Sequence, residues 1–269
     1  VVTNTHVVTL DGATNDPAIR VTTSDGRVYD AEIVGTDPIY DLAVIKLTDA
    51  SDLTPIEFAD SSTLNVGDTT VAVGAPLGLS NTVTTGIVSA LNRSIQIASS
   101  AVPDSGGQEE DQGQDGQSPF QFDFGQGQQQ SGASGTISIA VIQTDAAINP
   151  GNSGGALVDD EGNLIGINVA IATAGGGSAS SSEAGSIGVG FSIPSNIVKR
   201  VTDDLIQDGS ASHGLLGAMV GNAADAEDSS IAGALISEVT QGGAAAAAGL
   251  EAGDIVTEFD GVPVRDATD

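Results

Sequence analysis

Cysteine and tryptophan are absent from this 269-residue chain, and aromatic residues make up only 3% of it. Without cysteine, no disulfide can support the fold, and no thiol can act as a nucleophile or a metal ligand. Hydrophobic residues still amount to 39% of the chain, so its core must be built from Val, Ile, Leu and Ala. This composition favours β-structure, in which β-branched side chains pack well.

Positive charge is also scarce, because 7 Lys and Arg stand against 36 Asp and Glu, for a formal net charge of −29. No Lys or Arg occurs between Arg93 and Lys199. A chain this acidic repels phosphate backbones and anionic lipid headgroups, so we expect no nucleic acid among its partners. Solubility and adaptation to high salt both stay open as explanations of the acidity.

Long hydrophobic runs are missing as well. No stretch approaches the roughly 20 apolar residues of a membrane-spanning helix, and no secretory signal peptide is visible. The chain opens on Val1, already inside a strand-like segment, and closes on Asp269, where a helix is expected to start. We therefore expect the natural protein to continue beyond both ends.

Short β-branched segments separated by Gly, Asp and Pro occupy most of the first 200 residues, a pattern typical of a β-sandwich or β-barrel. The first predicted strand covers residues 1–10 and is interrupted by His6. The other predicted strands are residues 19–22, 28–35, 42–47, 69–74, 81–90, 137–143, 156–158, 164–171 and 187–193. A helix is predicted over residues 197–207, with Ser195 or Asn196 as its N-cap.

Two segments lack the apolar residues needed to form a packed core. Residues from about 99 to 135 are rich in Gln, Gly, Ser and acids, and we predict a disordered insertion there. Residues 173–186 are rich in Gly, Ser and Ala, and we expect a mobile loop.

One serine, Ser153, stands between glycines in the stretch Asn-Pro-Gly-Asn-Ser-Gly-Gly over residues 149–155. An acyl-transfer nucleophile needs a hydroxyl at a sharp turn, with backbone N–H groups free to bind the oxyanion that develops. The N–H groups of Gly151, Asn152 and Ser153 are the candidates for this oxyanion hole, since Gly151 tolerates a backbone conformation that side chains disfavour. A simple β-turn is the alternative interpretation of such a cluster.

The candidates for a general base are few, because His6 and His213 are the only histidines. Asp41 stands at the head of an apolar strand, and an acid behind a histidine would fix its tautomer and stabilise the imidazolium. Asp37, four residues earlier, is the rival for this acid. The chain order His6, Asp41, Ser153 is that of chymotrypsin-like proteases.

Four segments resemble the HtrA/Deg (high-temperature-requirement) serine proteases: Thr-Asn-Thr-His-Val at 3–7, Asp-Leu-Ala-Val-Ile-Lys at 41–46, the stretch from Gln143 to Leu157, and Gly-Val-Gly-Phe-Ser-Ile-Pro at 188–194. The resemblance implies a mainly β fold, with a chymotrypsin-like double β-barrel protease domain over residues 1–208. It also implies that His6 is the general base, Asp41 its orienting acid and Ser153 the nucleophile. The family's acid directly precedes the Leu-Ala-Val strand, which favours Asp41 over Asp37.

The resemblance also suggests the specificity of the predicted enzyme. In trypsin-like relatives an acid six residues before the nucleophile selects Lys or Arg, but this chain has Ala147 there, followed by Ile148. With Asn168 and Ala170 as further walls, the predicted pocket is shallow and apolar. We expect a preference for small aliphatic side chains such as Val or Ala.

After a linker at residues 209–213, residues 214–269 resemble a PDZ domain that lacks its final helix and strand. A peptide C-terminus would add to such a domain as a strand, with its carboxylate held by backbone N–H groups near Leu215, Leu216 and Gly217. The Ala-rich helix at 244–248 and the Asp260-Gly261 turn complete the likeness.

The resemblance implies a serine endopeptidase, without cofactor or metal, that degrades misfolded or unfolded extracytoplasmic proteins and is regulated by peptides at the PDZ domain. It further implies a homotrimer of the full protein and an upstream signal or membrane anchor. The alternative function is a chaperone-like binding protein or scaffold for unfolded chains with little proteolysis. An esterase is disfavoured, since small esters need no peptide docking.

Overall fold

The protein is described from a computed structural model that covers residues 1–10, 17–75, 82–98, 136–169, 188–226 and 230–269. The chain divides into two compact units. The first comprises Val1–Leu91 and Ile95–Ala211, and the second comprises Asn92–Ser94 and Ser212–Asp269. The predicted insertion at 99–135 and the loop at 173–186 lie outside the described residues, and the predicted domain boundaries stay predictions.

The first unit begins with a four-stranded antiparallel sheet in the order β1-β4-β3-β2. Its strands are β1 (Val2–Thr3), β2 (Ile19–Thr22), β3 (Val28–Asp37) and β4 (Leu42–Leu47). Side chains along β2 and most of β3 alternate between exposed and partly buried positions, as expected where only one face of a sheet is covered. Val8, Ala43 and Ile45 form the small core beneath it.

The prediction of one strand over residues 1–10 is wrong. The strand ends at Thr3, and a short helix, α1 (Thr5–Thr9), follows it. Thr5 explains the break, because its hydroxyl donates to the Leu42 carbonyl at 2.7 Å and its N–H donates to the Asp41 carbonyl at 3.1 Å. These long-range hydrogen bonds outweigh the β-preference of the surrounding Val and Thr residues.

The next six strands form a closed barrel in the order β10-β7-β6-β5-β8-β9. They are β5 (Thr69–Gly74), β6 (Thr82–Ala98), β7 (Thr136–Thr144), β8 (Ala156–Val158), β9 (Leu164–Val169) and β10 (Gly190–Pro194). All six residues of β9 are buried. The structure thus closes one of the two predicted barrels, while the other half is the open sheet of four described strands.

One helix, α2 (Ser195–Asp208), closes the first unit, and Gly209, whose φ of 73° is left-handed, is its C-cap. Its buried residues Val198, Val201 and Leu205 share one core cluster with Leu42 and Val44 of β4. The same cluster includes residues of β9 and β10, so α2 packs on both the open sheet and the barrel.

The prediction that Ser195 or Asn196 caps α2 is wrong, since Pro194 is the N-cap and no side chain caps the helix locally. Ser195 instead donates its hydroxyl to the Ala59 carbonyl at 2.7 Å. The Asn196 amide donates to the Asp60 carboxylate at 2.7 Å. Both residues therefore bind the segment before the barrel rather than the helix to which they belong.

The second unit contains a three-stranded sheet in the order β11-β12-β13 and a separate hairpin. Its elements are β11 (Ala218–Asn222), β12 (Ala234–Val239), α3 (Ala244–Ala248), β13 (Ile255–Val256), β14 (Glu258–Phe259) and β15 (Val262–Pro263). Asp260 and Gly261 both have positive φ, at 50° and 78°, as a two-residue type I′ hairpin turn requires. The predictions of α3 and of this turn are confirmed.

Most of the regular structure of both units is β-strand, so the prediction of a mainly β fold is confirmed. Within the described residues, the protein has no helix with the length and apolarity that crossing a membrane requires.

Candidate active site

His6 and Asp41 form a short, largely buried polar pair in the first unit. The His6 Nδ1 and Asp41 Oδ2 atoms are 2.6 Å apart, and the His6 backbone N–H donates to Asp41 Oδ1 at 2.9 Å. The side chains are only 18% and 8% exposed, so water screens the pair little. Both carboxylate oxygens of Asp41 therefore hold His6, one through its ring and one through its backbone.

Asp41 lies in the turn between β3 and β4 with a left-handed backbone, φ 52°, which is uncommon for a residue other than glycine. Its carbonyl oxygen accepts hydrogen bonds from the Asn4 side-chain amide at 2.9 Å and from the Thr5 N–H at 3.1 Å. Asn4 is fully buried. The sequence analysis did not single out Asn4, because no spacing rule marks a side chain whose partner is a backbone atom 37 residues away.

Asp37, the rival acid, is also buried, and it makes hydrogen bonds both within the hairpin and to α1. Its carboxylate accepts the backbone N–H of Ile39 at 3.1 Å, and its carbonyl accepts the Thr5 hydroxyl at 3.3 Å. Asp41, by contrast, holds the imidazole at 2.6 Å. The geometry thus favours Asp41 as the acid that orients His6.

The segment before Ser153 forms a tight turn over Asn149, Pro150, Gly151 and Asn152. The Asn152 N–H donates to the Asn149 carbonyl at 2.9 Å, and Gly151 has φ 97°. Proline at the second position and a glycine with positive φ at the third are the features of a type II turn. The Gly151 carbonyl in turn accepts the N–H of Ala75 at 3.2 Å, next to the end of β5.

Backbone hydrogen bonds tie the loop after Ser153 to the end of β9. The Gly154 N–H donates to the Asn168 carbonyl at 2.9 Å, and the Asn168 N–H donates to the Gly155 carbonyl at 2.8 Å. Gly154 has φ 78°. A Cβ added there would collide with the Thr3 hydroxyl and lie 3.1 Å from the backbone nitrogen of Asn4. The loop that carries Ser153 therefore lies directly against the segment that leads into His6.

The predicted oxyanion hole needs one correction. The Asn152 N–H is used inside the turn, where it donates to Asn149, so it does not point at a substrate carbonyl in this structure. The Asn152 side chain is buried as well, and its amide lies 3.4 Å from the Ala147 carbonyl. Gly151 and Ser153 stay as the predicted oxyanion donors.

Two residues of the predicted specificity pocket, Ile148 and Asn168, are buried in the barrel. Ile148 is 4% exposed and packs in a buried cluster with Ile142 and Ile165. Asn168 is fully buried, donating to the Ala156 carbonyl at 3.0 Å and accepting from the Ser192 hydroxyl at 2.8 Å.

Ala147 is partly buried, and its carbonyl accepts the Thr84 hydroxyl at 2.8 Å. Ala170 lies outside the described residues. Assignment of Ala147, Ile148, Asn168 and Ala170 to a substrate pocket stays a prediction.

In the second unit, the predicted carboxylate-binding loop lies beside the start of α3. Gly217 has φ 69°, and its carbonyl accepts the Thr240 N–H at 2.8 Å. The Leu216 carbonyl accepts the Ala245 N–H at 2.8 Å. Leu215 is 86% exposed and Leu216 is 43% exposed. The loop thus exposes apolar side chains to solvent, while backbone hydrogen bonds from Thr240 and Ala245 fix its carbonyl groups.

No group of three or more His, Cys, Asp or Glu with the geometry to hold a metal ion occurs among the residues that the structure describes.

Comparisons with known proteins agree with this arrangement. A family model of the trypsin-like peptidase domain matches residues 1–167, and a model of the PDZ domain matches residues 205–269. Fold and site together define a trypsin-like serine peptidase domain followed by a PDZ domain, as the resemblance predicted.

The relatives identify the family more closely. The chain is 43% identical to the serine protease PepD of Mycobacterium tuberculosis over 92% of its own length and 45% of that protein. It is 42% identical to the periplasmic serine endoprotease DegP of Escherichia coli K12, over 98% of the chain and 46% of DegP. The chain belongs to the HtrA/Deg family of serine proteases, and it spans a little under half the length of these relatives.

Solved structures show the same similarity. The HtrA-type protease AlgW with a decapeptide superimposes with a TM-score of 0.62 at 34% identity, covering 99% of this chain and 68% of AlgW. AlgW with a tripeptide gives a TM-score of 0.63 at 35% identity, covering all of this chain and 73% of AlgW.

Proposed function

We propose that this chain is a serine endopeptidase that degrades unfolded or misfolded proteins outside the cytoplasm and is regulated by peptides bound to its PDZ domain. Ser153 is the nucleophile, His6 the general base and Asp41 the acid that orients His6. The observation that carries this proposal is the 2.6 Å contact of His6 Nδ1 with Asp41 Oδ2, beside a Ser153 loop that packs on Thr3 and Asn4.

The mechanism follows from these roles. Ser153 attacks the peptide carbonyl while His6 takes its proton, and His6 then protonates the leaving amine. Because Asp41 binds Nδ1, Nε2 is the ring atom of His6 that exchanges the proton with Ser153. The Asp41 carboxylate also stabilises the imidazolium that forms. The N–H groups of Gly151 and Ser153 bind the oxyanion. Water then repeats the cycle on the acyl-enzyme.

The substrates and the regulator are inferred from the relatives and from the residues. DegP is named as a periplasmic serine endoprotease, which supports an extracytoplasmic location and protein substrates for this chain. Ala147 carries no charge, so the enzyme prefers small aliphatic residues before the cleaved bond. AlgW was solved with bound peptides, and the exposed Leu215 and Leu216 suit an apolar peptide C-terminus. The full-length protein is a homotrimer.

The test measures casein hydrolysis and labelling by a fluorophosphonate, a reagent that reacts with an activated serine. Ser153→Ala abolishes both, whereas the matched control Ser237→Ala leaves both unchanged, because Ser237 donates to Met219 in the second unit. A hydrophobic peptide with a free C-terminus raises the rate of wild-type hydrolysis. Labelling of Ser153→Ala at the wild-type rate would move the nucleophile elsewhere.

The chaperone-like binding function is the alternative that the same experiment separates. If wild type is neither labelled nor able to cleave casein, yet suppresses aggregation of an unfolded client, the chain acts as a binding protein. Cleavage by wild type alone supports the endopeptidase.

A further inference from the structure

We propose that Asn4 is a positioning residue, which holds the backbone of Asp41 so that the Asp41 carboxylate binds His6. This inference rests on the proposed function, since it assigns Asn4 a part in the same site. Asn4 lies two residues before His6 and is fully buried.

The contact itself is specific. The Asn4 side-chain amide donates to the backbone carbonyl of Asp41 at 2.9 Å, and the N–H of Thr5 donates to the same oxygen at 3.1 Å. Only the nitrogen of the Asn4 amide can make this bond, because the amide oxygen carries no proton. Two donors from neighbouring residues thus fix the direction of one carbonyl group.

The direction of this carbonyl matters because Asp41 has a left-handed backbone, φ 52°. Residues other than glycine adopt this conformation only when their surroundings hold them there. If the backbone of Asp41 returned to a conformation with negative φ, the Asp41 side chain would move relative to α1. The two hydrogen bonds that the Asp41 carboxylate accepts from His6, at 2.6 Å from the ring and 2.9 Å from the backbone N–H, would then not form together.

Packing alone does not explain an asparagine at this position. The Asn4 oxygen Oδ1 is buried and has no hydrogen-bond partner within the described residues. Burying an unpaired acceptor is unfavourable, and an apolar side chain of the same size would avoid that cost. The nitrogen of the amide, by contrast, makes the bond to Asp41, so the donor is the part of the side chain that the site uses.

The position of Asn4 also separates it from the substrate. Because its side chain is fully buried, Asn4 acts on the reaction through Asp41 and does not contact a bound peptide. Loss of the donor should therefore lower kcat and leave KM unchanged. A residue that supports only the fold would lower the melting temperature without this effect on kcat at temperatures well below melting.

The kinetic test compares two variants at position 4. Asn4→Leu keeps the number and branching of the side-chain heavy atoms, with bulkier methyl groups, and loses the donor, whereas Asn4→Ala loses both the donor and most of the side chain. We expect both variants to lower kcat for an aliphatic peptide substrate by about 10- to 100-fold, less than the ~10⁴-fold loss that follows when the orienting acid of a triad fails. The matched control is Thr70→Val, which breaks a buried 2.7 Å hydrogen bond to Thr144 inside the barrel and leaves kcat near wild type.

A second measurement does not need a working protease. In Ser153→Ala protein with isotope-labelled histidine, the ring proton of His6 that is shared with Asp41 gives an NMR signal far downfield. The chain has two histidines, so His213→Gln assigns the signal. We expect Asn4→Leu and Asn4→Ala to shift or broaden this signal, and Thr70→Val to leave it in place.

The outcomes decide between positioning and packing. If Asn4→Leu has the kcat and the His6 signal of wild type while Asn4→Ala has neither, Asn4 has a packing role and the proposal is overturned. A His6 signal unchanged in both folded variants would also overturn it. If wild type shows no hydrolysis but the signal responds as expected, the proposed function fails and the role of Asn4 stands.

Discussion

The two halves of the candidate site are held by different parts of the chain. His6 and Asp41 belong to the open sheet, where side chains make the decisive bonds: Asp41 binds His6 through its carboxylate, and Asn4 binds Asp41 through its amide. Ser153 belongs to the barrel, where its loop is held by two backbone hydrogen bonds: the Gly154 N–H donates to the Asn168 carbonyl, and the Asn168 N–H donates to the Gly155 carbonyl. The geometry of the His6 and Asp41 half depends on the presence of polar side chains. The geometry of the Ser153 half depends on the absence of side chains at its glycines.

This difference follows from the burial of the two sheets. In the open sheet, β2 and most of β3 are covered on one face only, so the turn before β4 needs specific polar contacts to hold a strained residue. In the barrel, all of β9 is buried and supplies a rigid edge on which backbone groups can pair. Substitutions should therefore damage the first half by removing atoms and the second half by adding them.

The largest effect should come from removing one charge in the open sheet. We expect Asp41→Asn to lower kcat by about 10⁴-fold, because the amide no longer holds the productive tautomer of His6. The melting temperature should change little, since Asn keeps the oxygen that accepts the His6 N–H. Peptide hydrolysis and thermal unfolding measure the two quantities.

The rival acid is the matched control for this prediction. Asp37→Asn keeps the oxygen that binds the Ile39 N–H, so we expect less than about a 10-fold change in kcat. The assignment of the orienting acid would be reversed if Asp37→Asn were the more damaging of the two substitutions.

A smaller effect should come from adding one methyl group in the barrel half. Gly154→Ala introduces a side chain at φ 78° that collides with the Thr3 hydroxyl, so the Ser153 loop must move. A displacement of about 1 Å at a nucleophile costs about 10²-fold in rate. We expect this loss in the rate of fluorophosphonate labelling.

Gly162→Ala separates strain from displacement. Gly162 has φ 87°, but a Cβ there meets no atom within 4 Å. This variant should lose about 1 kcal/mol of stability, from the left-handed backbone alone, and keep the labelling rate of wild type. Equal losses of labelling in both variants would show that the collision with Thr3 is not the cause.

The local sequence pattern was enough to predict some strands with their correct bounds. Residues 42–47 and 69–74 were predicted with the bounds that the structure has, because a compact β-branched run between turn residues has few alternatives. The predicted pairing of Asp41 with His6 came from the resemblance, and the 2.6 Å contact agrees with it.

The errors arose where a tertiary contact or a local turn uses a group to which the sequence pattern assigned another role. Thr5 bends the predicted first strand into α1 by binding Asp41 and Leu42, and Asn196 binds Asp60 instead of capping α2. Asn4 was missed for the same reason. The Asn152 N–H was predicted for the oxyanion hole, but the turn uses it. None of these partners is near in sequence except Asn149, so periodicity could not reveal them.

The smallest expected effect concerns the segment that joins the two halves. The hydroxyl of Ser62, and then the amide of Asn196 on α2, donate to the Asp60 carboxylate and hold the pKa of Asp60 below its ordinary value. Because the folded state lowers this pKa, the ionised carboxylate contributes stability above the ordinary pKa, near pH 4. That contribution is lost as the pH falls through the lowered value.

We therefore expect acidification from pH 7 towards pH 3 to lower the melting temperature of wild type slightly more than that of Asp60→Asn, which has no charge to lose. Asp60 is exposed, so the difference should be small and should shrink further with added salt. Asp203→Asn is the matched control, since Asp203 pairs with Lys199 on the solvent face of α2 and does not bind the joining segment. A wild-type curve parallel to that of Asp60→Asn over this range would show that the bond from Asn196 joins α2 to this segment without any contribution from the charge.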